Sequence, residues 1–250
     1  VTSSTLPVLP VPRLVLWRHG RTEWNAAGRF QGQLDPPLDA DGHREAAVAA
    51  ARLAVTAGLD PESSVVVSSD LDRTVQTARV LTGLLGVPLR LDRRLREHGM
   101  GCWEGLTRAE VAERYPDQYA DWIAGRPVLG RGGEESAAVA ERALAALVDL
   151  PEASVAVVVT HGGTAGRLLE RLLGLGPEHR RAFGALDNCA WSELVTQGGR
   201  WRLLRHNVSA VPASDGRVDG AREPAPASSS AGGRPEGADR VPAADADAVL

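Results

Sequence analysis

Leu14-Val15-Leu16-Trp17 runs straight into Arg18-His19-Gly20-Arg21-Thr22-Glu23-Trp24-Asn25. Four apolar residues without alternation, stopped by a polar, glycine-containing segment, read as a short strand covered on both faces. Working outward, the same form recurs twice. Ser64-Val65-Val66-Val67 leads into Ser68-Ser69-Asp70-Leu71-Asp72-Arg73-Thr74, and the run 155–159 leads into Thr160-His161-Gly162-Gly163. Further β-rich runs lie at 87–91, 190–195 and 201–204, and amphipathic helical stretches fall at 41–57, 72–85, 107–115, 117–124, 134–150 and 163–173. Strand alternating with helix predicts an α/β fold, a three-layer α/β/α sandwich on a mostly parallel sheet. The interval from Arg96 to Gly133 is helical without a strand, which predicts a cap inserted at about 97–133.

The composition sets the limits of this domain. From Ala213 onward the chain is rich in Ala, Pro, Gly, Ser and Asp and has no aromatic residue. Such a segment buries too little apolar area to offset its ordering entropy, so residues 212–250 are expected to be a disordered tail. Residues 1–12, with Pro7, Pro10 and Pro12, are expected to be a flexible lead-in to a domain over 13–211. Net charge is -4 in 250 residues, and all 28 basic residues are Arg. The lack of a basic block argues against nucleic acid, and the lack of lysine excludes Schiff-base chemistry and a P-loop lysine. Cys102 and Cys189 have no metal-ligand or disulfide spacing, which points to a reducing, cytoplasmic setting. Neither a membrane-length apolar run nor a basic signal-peptide start is present, so no membrane partner is expected.

In open α/β sheets, ligands lie beyond the carboxyl ends of the strands. That rule aims His19 and Arg18, Arg73, and His161 at one crevice, and Glu97, shortly after the 87–91 run, can join them. Each alone has an ordinary explanation: a turn, a surface charge, a salt-bridge partner. Together they supply a nucleophile, a cationic surround, a second imidazole and a carboxyl proton donor.

Five motifs then carry a resemblance. They are Arg18-His19-Gly20-x-Thr22-x-x-Asn25; Gln31-Gly32-x-x-Asp35-x-Pro37-Leu38 with Gly42; Ser68-Ser69-Asp70-x-x-Arg73-Thr74-x-x-Thr77-Ala78; Leu95-Arg96-Glu97 with Gly101-x-Trp103-Glu104-Gly105; and His161-Gly162-Gly163. In this order and spacing, over about 13–210, the chain resembles the histidine phosphatase superfamily, the phosphoglycerate mutase-like proteins. The resemblance implies that His19 attacks phosphorus, that Arg18, Arg73 and His161 hold the phosphoryl oxygens, and that Asn25, Gln31 and Gly162 contribute to substrate binding. It implies that Glu97 protonates the leaving alkoxide and then activates water. No cofactor and no metal ligand set are implied.

Within the family three readings stay open. A cofactor-dependent mutase goes with a longer, more basic insertion after the acid than the one here, so a phosphatase is preferred. An inactive phosphate-binding module is disfavoured because His19, Arg18, Arg73, Glu97 and His161 are all in place. The matched region is similar to actinobacterial glucosyl-3-phosphoglycerate phosphatases, which implies a small phosphomonoester partner such as that compound or a related sugar or glycerate phosphate. A homodimer is left open. His43 and His179 are expected to face solvent, His98 either lines the pocket or does not, and His206 has no assigned role. Gly132-Gly133-Glu134-x-Ser136 reads as a helix cap, with Ser136 at the pocket edge as the alternative.

Overall fold

The computed structural model describes residues 6–176, 179 and 182–210. The tail expected from residue 212 lies outside the described residues. Among the described residues, one sheet has six strands in the order β3-β2-β4-β1-β5-β6. They are β1 (Arg13–Arg18), β2 (Ser64–Ser68), β3 (Leu89–Leu91), β4 (Val155–Thr160), β5 (Trp191–Gln197) and β6 (Arg200–Val208). The first four in sequence run parallel, β5 is added antiparallel to β1, and β6 in turn pairs antiparallel with β5. The sheet is thus mixed, as the mostly parallel expectation allows.

Strand alternation sorts the core into two layers. Leu14, Leu16, Val65, Val67, Ala156 and Val158 face α6 (Ser136–Val148) and α7 (Gly162–Leu173). Val15, Trp17, Val66, Val155, Val157 and Val159 face α2 (Ala40–Thr56) and α3 (Asp72–Leu85). Every residue of β4 is buried, which is why its sequence is Val-Ala-Val-Val-Val-Thr without polar alternation. Each fully buried Val or Leu contributes about 1.5–3 kcal/mol relative to exposure. Leu9 and Val11 belong to the first of these layers. The packed structure therefore starts ahead of residue 13, because these two apolar side chains alternate with Pro10 and Pro12 and reach the core.

The cap contains α4 (Arg108–Arg114) and α5 (Pro116–Ile123) and has its own small core of Phe30, Met100, Trp103 and Val111. Phe30, Trp103 and Trp122 pack edge-on or tilted with ring centroids 5.3–6.1 Å apart. Several boundaries differ from expectation: β5 and β6 run on to Gln197 and Val208, α6 stops at Val148, and two starts shift as well. Strand β3 begins at Leu89, not Val87, since Gly86 ends α3 in the left-handed region and the Val87 N–H still bonds back to Thr82. Helix α6 begins at Ser136, not Glu134, because the backbone at Glu135 is still extended (φ −81°, ψ 140°) and the Glu134 N–H is turned to the Gly99 carbonyl of the cap loop. The short helix α1 (Glu23–Ala26), closed by a Thr22–Asn25 capping box, has too few residues for a periodic signal. Among the described residues, no helix is long and apolar enough to cross a membrane.

Candidate active site

Parallel pairing brings the carboxyl ends of β1, β2 and β4 to one edge. The His19 N–H donates to the Thr160 carbonyl at 3.1 Å and the Ser69 N–H to the Val159 carbonyl at 3.0 Å. The chain after His19 can turn there only without a side chain, because a Cβ on Gly20 would sit 2.6 Å from the Gly42 carbonyl oxygen.

His19 is 1% exposed. Its Nδ1 lies 2.7 Å from the Gly20 carbonyl oxygen. A carbonyl only accepts, so the proton is on Nδ1 and the lone pair on Nε2. That lone pair accepts from Arg73 Nε at 3.3 Å. Burial, then the Arg73 and Arg18 guanidiniums, push the His19 imidazolium well below the ordinary histidine range. His161 stands edge-on at 5.2 Å between ring centroids. Its Nε2 is 3.0 Å from Ser69 Oγ, and its buried Nδ1 has no hydrogen-bond partner among the described residues. Burial, Arg73, His19, Arg18 and Arg142 also hold His161 well below the ordinary value. The pair is neutral, flanked by two cations.

Those cations are fixed by backbone oxygens. Arg73, in the first turn of α3, donates to the Leu34 carbonyl at 2.7 Å and the Gly32 carbonyl at 2.8 Å. Arg18 donates to the Leu186 carbonyl at 2.7 Å. Both are fully buried, and Arg73 also has the partly exposed Asp35 carboxylate at 3.8 Å.

Glu97 joins them from the loop after β3. Its carboxylate accepts from three backbone N–H groups, those of His98 at 2.7 Å, Thr164 at 2.9 Å and Gly163 at 3.0 Å. It thus sits on the N-terminus of α7, where a negative charge is favoured. A Cβ on Gly163 would come within 2.7 Å of Glu97 Oε1, so the approach depends on glycine. The loop is held by residues that sequence reading passed over. Arg142 of α6 donates to the carbonyls of Arg94, Arg96 and Glu97 at 2.6, 2.7 and 2.9 Å. It also makes two bonds of 2.8 Å to Glu134. Burial favours a neutral Glu134, but Arg142 and the Gly99 N–H together hold its carboxyl below the usual range. Glu134 is therefore a strut between α6 and the cap loop and not the expected helix cap.

Asn25 and Gln31 are buried together around Thr22, whose hydroxyl lies 3.0 Å from Asn25 Oδ1 and 3.1 Å from Gln31 Oε1. One hydroxyl proton serves one of them at a time. Asn188, also unforeseen, donates to the His19 carbonyl at 3.1 Å and approaches Asn25 Oδ1 at 3.4 Å.

A cavity of about 200 Å³ opens beside Glu97, lined among others by Phe30, His98, Trp122, Arg131, Ser136 and Gly163. His98 and Ser136 therefore both border it. Gly162 instead lines a separate cavity of about 10 Å³ with Phe183, Leu186 and His206. His206 is occupied by the Gly184 carbonyl at 2.7 Å and Ser192 Oγ at 2.9 Å, while His43 and His179 are exposed. Cys102 and Cys189 are free thiols.

The histidine phosphatase superfamily (branch 1) profile matches residues 14–209. The glucosyl-3-phosphoglycerate phosphatase of Mycolicibacterium vanbaalenii is 38% identical over 226 residues, covering 82% of this chain and 98% of that protein. A probable phosphoglycerate mutase of Enterobacter sp. (strain 638) is 37% identical over 201 residues, covering 76% of this chain and 87% of that protein. Among solved structures, mycobacterial glucosyl-3-phosphoglycerate phosphatase with VO3 superposes with a TM-score of 0.72 at 36% identity, covering 79% of this chain and all of that one. With the matching profile spanning nearly the whole described domain, the chain belongs to the histidine phosphatase superfamily.

Proposed function

We propose that this protein is a phosphomonoester hydrolase that works through a phosphohistidine formed at His19 Nε2, with a substrate of the glucosyl-3-phosphoglycerate kind. The observation that carries the reading is the His19 tautomer: the Nδ1–H donates to the Gly20 carbonyl, which leaves the lone pair of the neutral imidazole on Nε2. In the first step Nε2 bonds to phosphorus while the P–O bond to the alcohol breaks, and a protonated Glu97 gives its proton to the departing alkoxide. In the second, the Glu97 carboxylate takes a proton from water, whose oxygen displaces His19 from phosphorus and releases inorganic phosphate. Charge on the transferring group is spread over its equatorial oxygens, which suits fixed cationic donors from Arg18 and Arg73 and the unpaired Nδ1 edge of His161. Asn25 and Gln31 would add neutral hydrogen bonds.

The substrate proposal is supported by the relatives of nearly full coverage that are named for glucosyl-3-phosphoglycerate, and one of the similar structures is a complex with inorganic phosphate. The mutase reading has the Enterobacter relative in its favour. Incubation with 3-phosphoglycerate separates the two, since a hydrolase liberates inorganic phosphate and a mutase accumulates the 2-isomer. The two free thiols accord with a cytoplasmic setting.

The test of the central claim is rapid mixing with a ³²P-labelled monoester. Label should remain on the protein in base and be lost in acid, as a phosphoramidate requires, and His19→Ala should carry none. Wild-type turnover by His19→Ala would refute the assignment.

A further inference from the structure

The cavity beside Glu97 contains one buried charge, Arg131, with no carboxylate in contact; Glu135 and Glu104 act on it only at longer range. Arg131 lines it and is only 7% exposed. Among the described residues, no carboxylate comes within 4 Å of its guanidinium, and its Nε finds no acceptor. The nitrogen of His98 that lies 3.3 Å from Arg131 NH2 is not an acceptor either. That Nε2 is also 2.7 Å from the Glu134 carbonyl oxygen, a contact that requires the imidazole proton to be there. What holds Arg131 is the face of Trp103, 5.2 Å from the guanidinium carbon to the ring centroid. A guanidinium stacked on a ring keeps its donors in the plane of the fork, open at the edge.

Of the acidic groups that line the same cavity, Glu97 and Glu134 are already engaged, and the solvent-exposed Glu135 acts on Arg131 only from beyond 4 Å, across water-screened distance. Glu97 is taken by three backbone amides and Glu134 by Arg142 and the Gly99 N–H. Arg167, the other buried arginine on the wall, has an ion pair with Glu170 at 2.9 Å. Burial pushes the Arg131 guanidinium below its ordinary range. A buried cation without a counterion is unfavourable unless a ligand supplies the charge.

Resting on the phosphatase reading of the His19 site, we propose that Arg131 selects substrates whose alcohol carries a carboxylate, which pairs with its guanidinium fork when the phosphoryl group lies against His19. One uncompensated fork matches one monoanionic carboxylate in charge and in bidentate geometry. A second phosphate, a dianion, would call for more positive charge than the wall leaves uncommitted. The cavity of about 200 Å³ takes the carboxylate-bearing part of the alcohol, and Phe30 and Trp122 give it an apolar side for the carbon skeleton.

The experiment compares two esters of the same length, D-3-phosphoglycerate and sn-glycerol 3-phosphate, by phosphate release. In the wild-type protein kcat/KM should favour the carboxylate by roughly 10- to 100-fold, the strength of a charge-assisted hydrogen bond pair. Arg131→Met should bring the ratio of the two close to one, and Arg131→Lys should restore part of it. A wild-type ratio near one, or an Arg131→Met variant that loses both substrates equally, overturns the proposal. Binding of D-glycerate against glycerol, measured by titration calorimetry on the same proteins, reads the pocket without turnover. If no phosphate is released from any ester yet D-glycerate binds and Arg131→Met abolishes it, the phosphatase reading fails and the carboxylate site stands. If D-glycerate binds no better than glycerol, the site fails whatever the turnover.

Discussion

Replacing Glu97 by Gln tests the acid-base role, and the structure says what else the change will do. The carboxylate accepts two amide N–H groups, from His98 and Thr164, on Oε1 and one, from Gly163, on Oε2. Glutamine keeps one oxygen, best placed on the doubly served side, and then points an NH2 at the Gly163 N–H. Donor faces donor in a site 3% exposed. One lost hydrogen bond with a buried donor left unsatisfied costs about 1–3 kcal/mol of stability. Loss of proton transfer costs about 10²- to 10⁴-fold in rate on an alkyl phosphate. The two effects separate by leaving group. Any misplacement of the loop slows all substrates alike, whereas p-nitrophenolate departs without a proton and should be slowed far less in the first step. Steady-state phosphate release from an alkyl ester and from p-nitrophenyl phosphate, with urea unfolding of the same variant, gives both numbers. Equal rate losses on the two esters would refute proton donation by Glu97. A burst of p-nitrophenol followed by slow turnover would place its role in the water step.

Two further perturbations follow from the same geometry. His19 and His161 are both held neutral by burial and nearby cations, and unfolding returns each to about 6.5. Below that pH the unfolded chain binds more protons, so stability present above about 6.5 is lost as the pH falls toward the folded values, at up to about 1.4 kcal/mol per pH unit for each histidine. Melting temperatures between pH 5 and 7 should show this slope in the wild type and lose much of it in the His19→Gln/His161→Gln protein; identical slopes would contradict the assignment. Arg142→Met removes the bonds to three loop carbonyls and to Glu134, and should lower stability by roughly 1.5–3 kcal/mol and kcat at least about tenfold through displacement of Glu97. Because Arg18, Arg73 and His161 are untouched, inhibition by inorganic phosphate should persist unchanged, and a comparable loss of phosphate affinity would show that Arg142 acts on the whole site.

The fold and the chemical centre were legible for one reason: both are written in contiguous segments. A strand buried on both faces is a run such as 155–159, and the groups at its carboxyl end are simply the next residues, His161 among them. What escaped is what connects remote segments. Arg142 reads in sequence as a charged position on an amphipathic helix, and only folding sets it against carbonyls 45 to 48 residues earlier. Asn188 lies 169 residues from the His19 carbonyl it serves. Arg131 reads as one of many arginines, and its distinction is an absent counterion, which no local pattern encodes. Gly162 and Gly163 were adjacent members of one motif, and the helical turn between them sends them to different cavities. The placement of Glu134 failed as a cap because an acidic residue just before a helix has a local explanation that is strong by itself. Here a guanidinium two turns along the helix wins the carboxylate.

The position of β4 bears on the order in which the molecule is assembled. It lies between β1 and β2 in the sheet, yet its residues come off the ribosome after both and after the whole cap. Until then β1 and β2 have no native edge to share, and the two apolar layers have no middle. An N-terminal portion of the nascent chain can form α2, α3 and the β2–β3 pair, but it cannot unite His19 with Arg73 and His161. Long-range pairings of this kind slow folding, because loop closure must precede the contacts that reward it. The last strand of the parallel set to be made thus both joins the two halves of the core and delivers the second histidine, so His19, Arg73 and His161 come together in the same event as the parallel part of the sheet.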